Sequence, residues 1–172
     1  MLTYEEIMDL PYNRGRIKPE DRPIYVENVT KESYGNYCID QYLTNRNIEH
    51  QWCVDKETQN KGIDIIINGK TVDLKFQMYD NGKQYVHEMK QWSKPGWVLE
   101  NSCDQIWWCI APLNRIVIMD MDWIKAVDIT QYKACKTIKT NAEFYMVPFQ
   151  TTYRQLVCDF SIMSKWFLKN KF

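Results

Sequence analysis

Two aspartates and a lysine, Asp64, Asp73 and Lys75, are spaced D-x₈-D-x-K around an Asn68-Gly69 dipeptide. Asn-Gly between two β-rich runs is the strongest short-range hairpin signal, because both central positions of a type I′ turn need positive φ. With these residues in the turn, Ile67 pairs with Lys70, Ile66 with Thr71, Ile65 with Val72 and Asp64 with Asp73. Side-chain alternation then places Val72, Leu74 and Phe76 with Ile63, Ile65 and Ile67 on an apolar face. Thr71, Asp73, Lys75 and Gln77 share the opposite face with Asp64. Two opposed carboxylates repel unless a cation sits between them. Lys75 supplies part of that charge, and a divalent metal would supply more. Mg²⁺ suits such a place, since it takes one or two carboxylates plus waters and phosphate oxygens. The plain alternative is a solvated hairpin with an incidental Asp-Asp-Lys cluster. Correct facing on a hairpin favours the chemical reading.

The elements around the hairpin must hold it in place. Thr3 to Leu10 reads as a short helix stopped by Pro11. Tyr12 to Pro23 is loop-like, with Arg14, Arg16, Lys18 and Arg22 as a solvated set of charges. Thr30 can cap a helix running to about Asn45, with Tyr34, Cys38, Tyr42 and Leu43 inward. A strand near Ile48 to Val54 and a polar turn from Asp55 to Lys61 lead into the hairpin. Further strands are expected at Gln105 to Ala111 and Arg115 to Met121, with Asn114 in the turn between them. Asp122 to Lys136 fits either period. Ser161 to Lys171 reads as an amphipathic helix with Ile162, Trp166 and Phe167 inward and Lys165, Lys169 and Lys171 wet. The order predicts an α/β or α+β layout around one central mixed sheet flanked by helices.

Length and composition set the bounds. The 172 residues suit one domain, with 1–29 as an N-terminal extension, a core over about 30–130, and 131–172 as a C-terminal extension. Hydrophobic content of 45% and charged content of 26% exclude wholesale disorder. The longest apolar run, Ile106 to Ala111, is too short to span a bilayer, and the N-terminus lacks a signal-peptide pattern. No membrane partner and a cytoplasmic location are therefore expected. The six cysteines form no CxxC pair and read as reduced, mostly buried thiols. The 22 basic and 22 acidic side chains cancel, which argues against a uniformly basic nucleic-acid coat but not against a local basic groove. A homodimer can assemble a basic cleft that one chain's sum conceals.

Asp64, then Asp73-Leu74-Lys75 after a short hairpin that follows a helix, resembles the PD-(D/E)XK nuclease superfamily. Gly62-Ile63-Asp64 stands at the first motif, without its proline, and Asp73-Leu74-Lys75 matches (D/E)-x-K. The run Tyr85-Val-His-Glu88, Lys94-Pro-Gly-Trp97 and Asp104-Gln-Ile-Trp-Trp108 is similar to a pattern in small phage-type nucleases. The resemblance implies a restriction-endonuclease-like core: a helix, a three-stranded meander, a helix and a further strand. Pro95 and Gly96 interrupt the stretch where the second of those helices would lie. It also implies an Mg²⁺-dependent DNA endonuclease, with Mn²⁺ as substitute and junction-resolving and restriction-like roles both open. If phage-encoded, it would work in the host cytoplasm.

By the same resemblance, Asp64, Asp73 and the Leu74 carbonyl would bind metal, and Lys75 would manage the attacking water and transition-state charge. Glu32 matches the extra acidic residue on the helix of resolvase-like members, and Gln77 a polar position that helps the site in some. Lys83, Lys90 and Lys94, with Trp92 and Trp97, follow the catalytic strand and could contact phosphates, or form a solvated loop with its tryptophans folded inward. His87 beside Glu88 reads as a surface histidine, and at least one of Trp107 and Trp108 as core. Two competing readings remain: a catalytically silent nuclease-fold protein that binds DNA or protein, and an aromatic-rich interaction protein.

Overall fold

A computed structural model describes residues 2–13, 23–79, 83–91, 94–137 and 142–169. Arg14, Arg16, Lys18, Arg22, Trp92 and Lys171, and the side chains of Phe167 and Lys169, lie outside the described part. The chain begins with a five-residue helix, α1 (Tyr4–Met8), closed by a capping box between Thr3 and Glu6. A long helix follows, α2 (Pro23–Thr44). It starts seven residues before Thr30, which is buried in its interior and caps nothing. Proline at the head of a helix sacrifices no hydrogen bond, and the inward stripe simply extends back one turn through Val29, Thr30 and Ser33. Tyr34, Cys38, Tyr42 and Leu43 are buried on that stripe as expected.

After α2 come β1 (His50–Trp52), α3 (Lys56–Asn60), β2 (Ile65–Ile67) and β3 (Lys70–Gln77). The polar turn expected over Asp55 to Lys61 is in fact α3, capped by the Asp55 carboxylate on the Thr58 amide. β1, β2 and β3 form an antiparallel meander. The chain then makes an excursion through β4 (Gln84–Gln91), β5 (Lys94–Pro95) and the single-turn helix α4 (Trp97–Glu100) before β6 (Gln105–Ile110). β6 lies parallel to β3, and β7 (Arg115–Asp120) lies antiparallel to β6. Asn114 turns the chain between them with φ 48°. The helix implied between the third and fourth strands is thus a two-strand hairpin with one helical turn. Pro95 and Gly96 permit nothing longer, and a Cβ at Gly96 would strike the Glu88 carbonyl.

The ambiguous stretch after β7 resolves into α5 (Met121–Lys125) and β8 (Ala134–Thr137), followed by β9 (Ala142–Pro148), β10 (Arg154–Val157) and α6 (Ser161–Lys169). The central sheet is mixed and six-stranded, in the order β1-β2-β3-β6-β7-β10. A second, four-stranded sheet runs β5-β4-β9-β8. Each face of the central sheet carries its own core. On one, Val72, Leu74, Trp107 and Ile116 meet Ile7 of α1, Tyr34 and Leu43 of α2, Phe160 just before α6 and Met163 of α6. On the other, Ile106, Trp108 and Met119 meet Tyr85, Val98, Ile124 and Val147. Trp107 and Trp108 are therefore both core, on opposite faces. Ile7 and Phe160 come from segments expected as extensions, and both belong to the first core. All six cysteines carry free thiols, four of them buried. No described helix is long and apolar enough to cross a membrane.

Candidate active site

The Asn68-Gly69 turn forms as its sequence dictates, with φ of 49° and 78°. The pairs Ile67↔Lys70, Ile66↔Thr71 and Ile65↔Val72 are those expected. The regular ladder ends there. The Asp64 amide donates to the Val72 carbonyl at 2.9 Å, and the Asp64 carboxylate accepts the Leu74 amide at 2.8 Å. Ile63, expected beside Ile65, is buried in the opposite core instead. The physical reason lies one residue earlier: Gly62 has φ +70°, which breaks the alternation and swings Asp64 toward β3.

Asp73 is 4% exposed and sits at the centre of the constellation. Its Oδ2 accepts from Lys75 Nζ at 2.7 Å and from the Asn101 side-chain amide. It also shares a hydrogen bond with the Asp64 carboxyl. Burial, and then the Asp73 charge beside it, push the Asp64 carboxyl up to about 7, against the opposing pull of the Leu74 amide and Lys75. Burial alone would push the Lys75 ammonium down. The hydrogen-bonded Asp73 carboxylate, with Asp64 and Glu32, outweighs it and holds that group above the ordinary lysine value. The ammonium also lies 5.6 Å from the centroid of the Trp97 ring, in cation–π range.

These groups line a cleft of about 410 Å³ between α2 and the β4–β5–α4 excursion. α2 lies close over β3, since a Cβ at Gly35 would collide with the Phe76 ring. This proximity brings Glu32 to the cleft wall opposite the hairpin. Glu88 and Glu100 line it too, from β4 and α4. Burial raises the Glu88 carboxyl, while the Trp97 backbone N–H and Lys75 counter the rise. Sequence reasoning passed over Glu88 and missed Asn101 altogether. Glu88 carries a weak signal, since it alternates with buried Tyr85 and His87 on one strand. Asn101, just past a four-residue helix, carries none.

The other candidates fall elsewhere. Gln77 is buried outside the cleft, where its amide donates to the Tyr79 carbonyl at 2.9 Å and accepts from Trp108 Nε1 at 2.8 Å. Lys83, Lys90 and Lys94 are exposed, and none of the three lines the cleft. Trp97 does line it, over Lys75. His87 is 2% exposed rather than a surface residue, packed against Tyr85 and Trp97, and burial pushes its pKa down to about 4.

Gly62 carries an expectation of its own. Gly62→Ala forces a non-glycine residue into positive φ, which costs about 1–3 kcal/mol, and drives its Cβ into the Asn101 amide that bonds Asp73. Gly69→Ala meets the same backbone strain at φ +78° but no atom within 4 Å. Urea denaturation should therefore show Gly62→Ala as clearly the less stable of the two. Equal midpoints would mean that Asn101 is not held by that glycine.

Among the described residues, no three His, Cys, Asp or Glu side chains converge as a metal cluster. The donor set is two hard carboxylates whose mutual repulsion one lysine offsets in part. That chemistry fits Mg²⁺, which binds through one or two carboxylates and keeps several waters, and it does not fit zinc. No family model matches the chain, and comparison with curated proteins and with solved structures returned no significant match.

Proposed function

We propose that the protein is an Mg²⁺-dependent DNA endonuclease with a restriction-endonuclease-like core, and that Mn²⁺ can replace Mg²⁺. One observation carries this reading: Asp64, Asp73 and Lys75 converge, hydrogen-bonded, in one cleft at the end of the β2–β3 hairpin. The order of a helix, an antiparallel meander and a fourth strand parallel to the third supports the core assignment.

Asp64 and Asp73 would hold the cation, with the Leu74 carbonyl beside them. The cation, when bound, supplies Lewis acidity at the scissile phosphate and a lowered pKa for the attacking water. Lys75 is already oriented by Asp73 and the Trp97 ring. Its ammonium donates to a non-bridging phosphate oxygen and offsets the charge that builds there. Glu32, facing the hairpin from α2, orients water at the opposite wall. Glu88, with its raised pKa, is placed to hold a proton in the cleft. Lys83, Lys90 and Lys94, outside the cleft, are left to contact phosphates farther along the DNA, on one chain or across a homodimer.

The test is cleavage of a panel of plasmid, linear duplex, four-way junction and single strand, with Mg²⁺, Mn²⁺ or EDTA. Wild type runs beside Lys75→Met, which keeps the stem and removes the charge. Cutting that needs metal and falls at least ~100-fold in Lys75→Met, while Mn²⁺ binding persists, is the expected result. Cutting unaffected by EDTA, or fully retained in Lys75→Met, overturns the assignment. DNA binding without cutting would mark the protein as a silent nuclease-fold binder.

A further inference from the structure

We infer that the end of the cleft beside Asp64 is a base-stacking subsite, so that the substrate is DNA with an unpaired nucleotide next to the scissile phosphate. A flap, a frayed end or a single strand fits it better than an uninterrupted duplex. The inference rests on the nuclease reading above and names its substrate class.

Tyr12 and Trp52 line this part of the cleft, half-buried and stacked on each other with ring centroids 4.4 Å apart and planes 18° apart. Both are locked from behind by one carboxylate. Asp40 accepts the Trp52 indole N–H at 2.9 Å and the Tyr12 hydroxyl, and His50 Nε2 lies 3.2 Å from it. Burial, with Asp40 adding to it, pushes the Tyr12 hydroxyl well above the usual tyrosine value, so it stays a neutral donor. The two rings form a preorganised wall that loses little freedom when a third ring joins the stack. The ladder sets that wall beside the metal-binding carboxylates. Trp52 pairs with Ile65, and the next amide, Cys53 N–H, donates to the Asp64 carbonyl at 2.9 Å. Carboxamides of Asn36, Gln59 and Asn60 line the same cleft and can meet base edges.

The charge of the lining points the same way. Among the described residues that line the cleft, Lys75 is the one cation, already paired with Asp73, against five carboxylates. Duplex DNA is held chiefly through phosphates by lysine and arginine. A single strand adds base stacking, which any base can supply, to its phosphate contacts and so leans less on cations. A volume of about 410 Å³ lies in the range of small-molecule pockets and suits one nucleotide rather than a duplex groove.

Fluorescence anisotropy in EDTA, with labelled single strand, flap and matched duplex, tests the subsite directly. Wild type, Trp52→Leu and Trp52→Phe are compared, with folding checked by circular dichroism. Tyr12→Leu serves if Trp52→Leu does not fold. Single strand and flap should bind at least ~10-fold tighter than duplex. Trp52→Leu should lose that preference, and Trp52→Phe should restore it. Equal binding of duplex and single strand, or a preference untouched by Trp52→Leu, overturns the subsite. Parallel cleavage in Mg²⁺ separates the two ideas. Equal cutting of matched duplex and flap overturns the subsite and leaves the nuclease. Stacking-dependent binding with no cutting of any substrate overturns the nuclease and leaves the subsite. No binding to any of the three overturns the subsite, and if no substrate is cut in Mg²⁺ either, it overturns the nuclease as well.

Discussion

Asp73→Asn is expected to remove metal-dependent cleavage by about 10³-fold or more while leaving a folded protein. Asp73 is tied to three groups of the cleft: Lys75 at 2.7 Å, the Asn101 amide and the Asp64 carboxyl all converge on it. The amide replacement keeps the shape and deletes the charge, so three things change together. The proposed cation site loses one of its two carboxylates. Lys75 loses the ion pair that aims it and faces a group that can donate as well as accept. Asp64 loses its like-charged neighbour, so its carboxyl falls part of the way back while burial, the larger cause, still holds it raised. The first two changes strike the reaction, and the third returns some stability to the fold. Losing one partner of a buried pair commonly costs about 3–5 kcal/mol, but relief of the Asp64–Asp73 repulsion opposes that cost here. Thermal denaturation should accordingly move little in comparison with the rate. Cleavage within tenfold of wild type would sink the site assignment. An unfolded variant would move the comparison to Lys75→Met, whose side chain leaves Asp73 in place.

The hairpin was legible because its rule is local. Asn-Gly sets the turn, period-two alternation sets the faces, and the three pairs nearest the turn match their expected register. Legibility stopped at Gly62, where a positive φ sends Ile63 into the other core and bends Asp64 toward the Leu74 amide. Glycine can adopt that conformation but does not announce it. The start of α2 was misplaced for a related reason: Thr30 has the chemistry of a cap, while Pro23, seven residues earlier, is the residue that opens the helix. The second sheet was hidden because β4 pairs with β9 across more than fifty residues of chain, a partnership that no local pattern encodes. Asn101 and Glu88 reach the cleft through that same excursion, so they were hidden with it. Asp64, Asp73 and Lys75 could be placed together because hairpin alternation brings them to one face, whereas Glu32 entered only through the family resemblance and lines the same cleft from α2. Gln77 shares the alternation with Lys75 but lies one step too far along β3, and its amide is engaged by Trp108 and Tyr79.

In the absence of divalent metal, wild type should lose thermal stability relative to Asp64→Asn as pH rises from about 4 to about 7, by roughly 5 °C. Asp64 titrates near 7 in the folded protein and near 3.9 in the unfolded chain. Below about 4 both states carry the proton, and the carboxyl carries no charge penalty. Between the two values the unfolded chain has lost its proton and the folded protein has kept it, so each rise in pH favours unfolding. Above about 7 both are ionised and the penalty is complete. Asp55, Asp104, Asp128 and Asp159 have lowered values from hydrogen bonds to Thr58, Thr71, Thr130 and Ser161, so their contribution has the opposite sign. It is present above the unfolded value and lost as pH falls, which puts it mostly below the window that Asp64 controls. Glu88, also raised, adds to the fall, while His87, whose pKa burial pushes down to about 4, opposes it over the same window; both remain in Asp64→Asn, so the difference between the two proteins isolates Asp64. Mg²⁺ at pH 7.5 should raise the melting temperature of wild type, because it compensates the two ionised carboxylates, and should do little for Asp64→Asn. Parallel pH profiles for the two proteins would show that Asp64 and Asp73 do not share one proton. A wild type indifferent to Mg²⁺ would show that the pair is not a cation site. The measurement needs no substrate, so it judges the carboxylate pair whether or not the preferred DNA has been found.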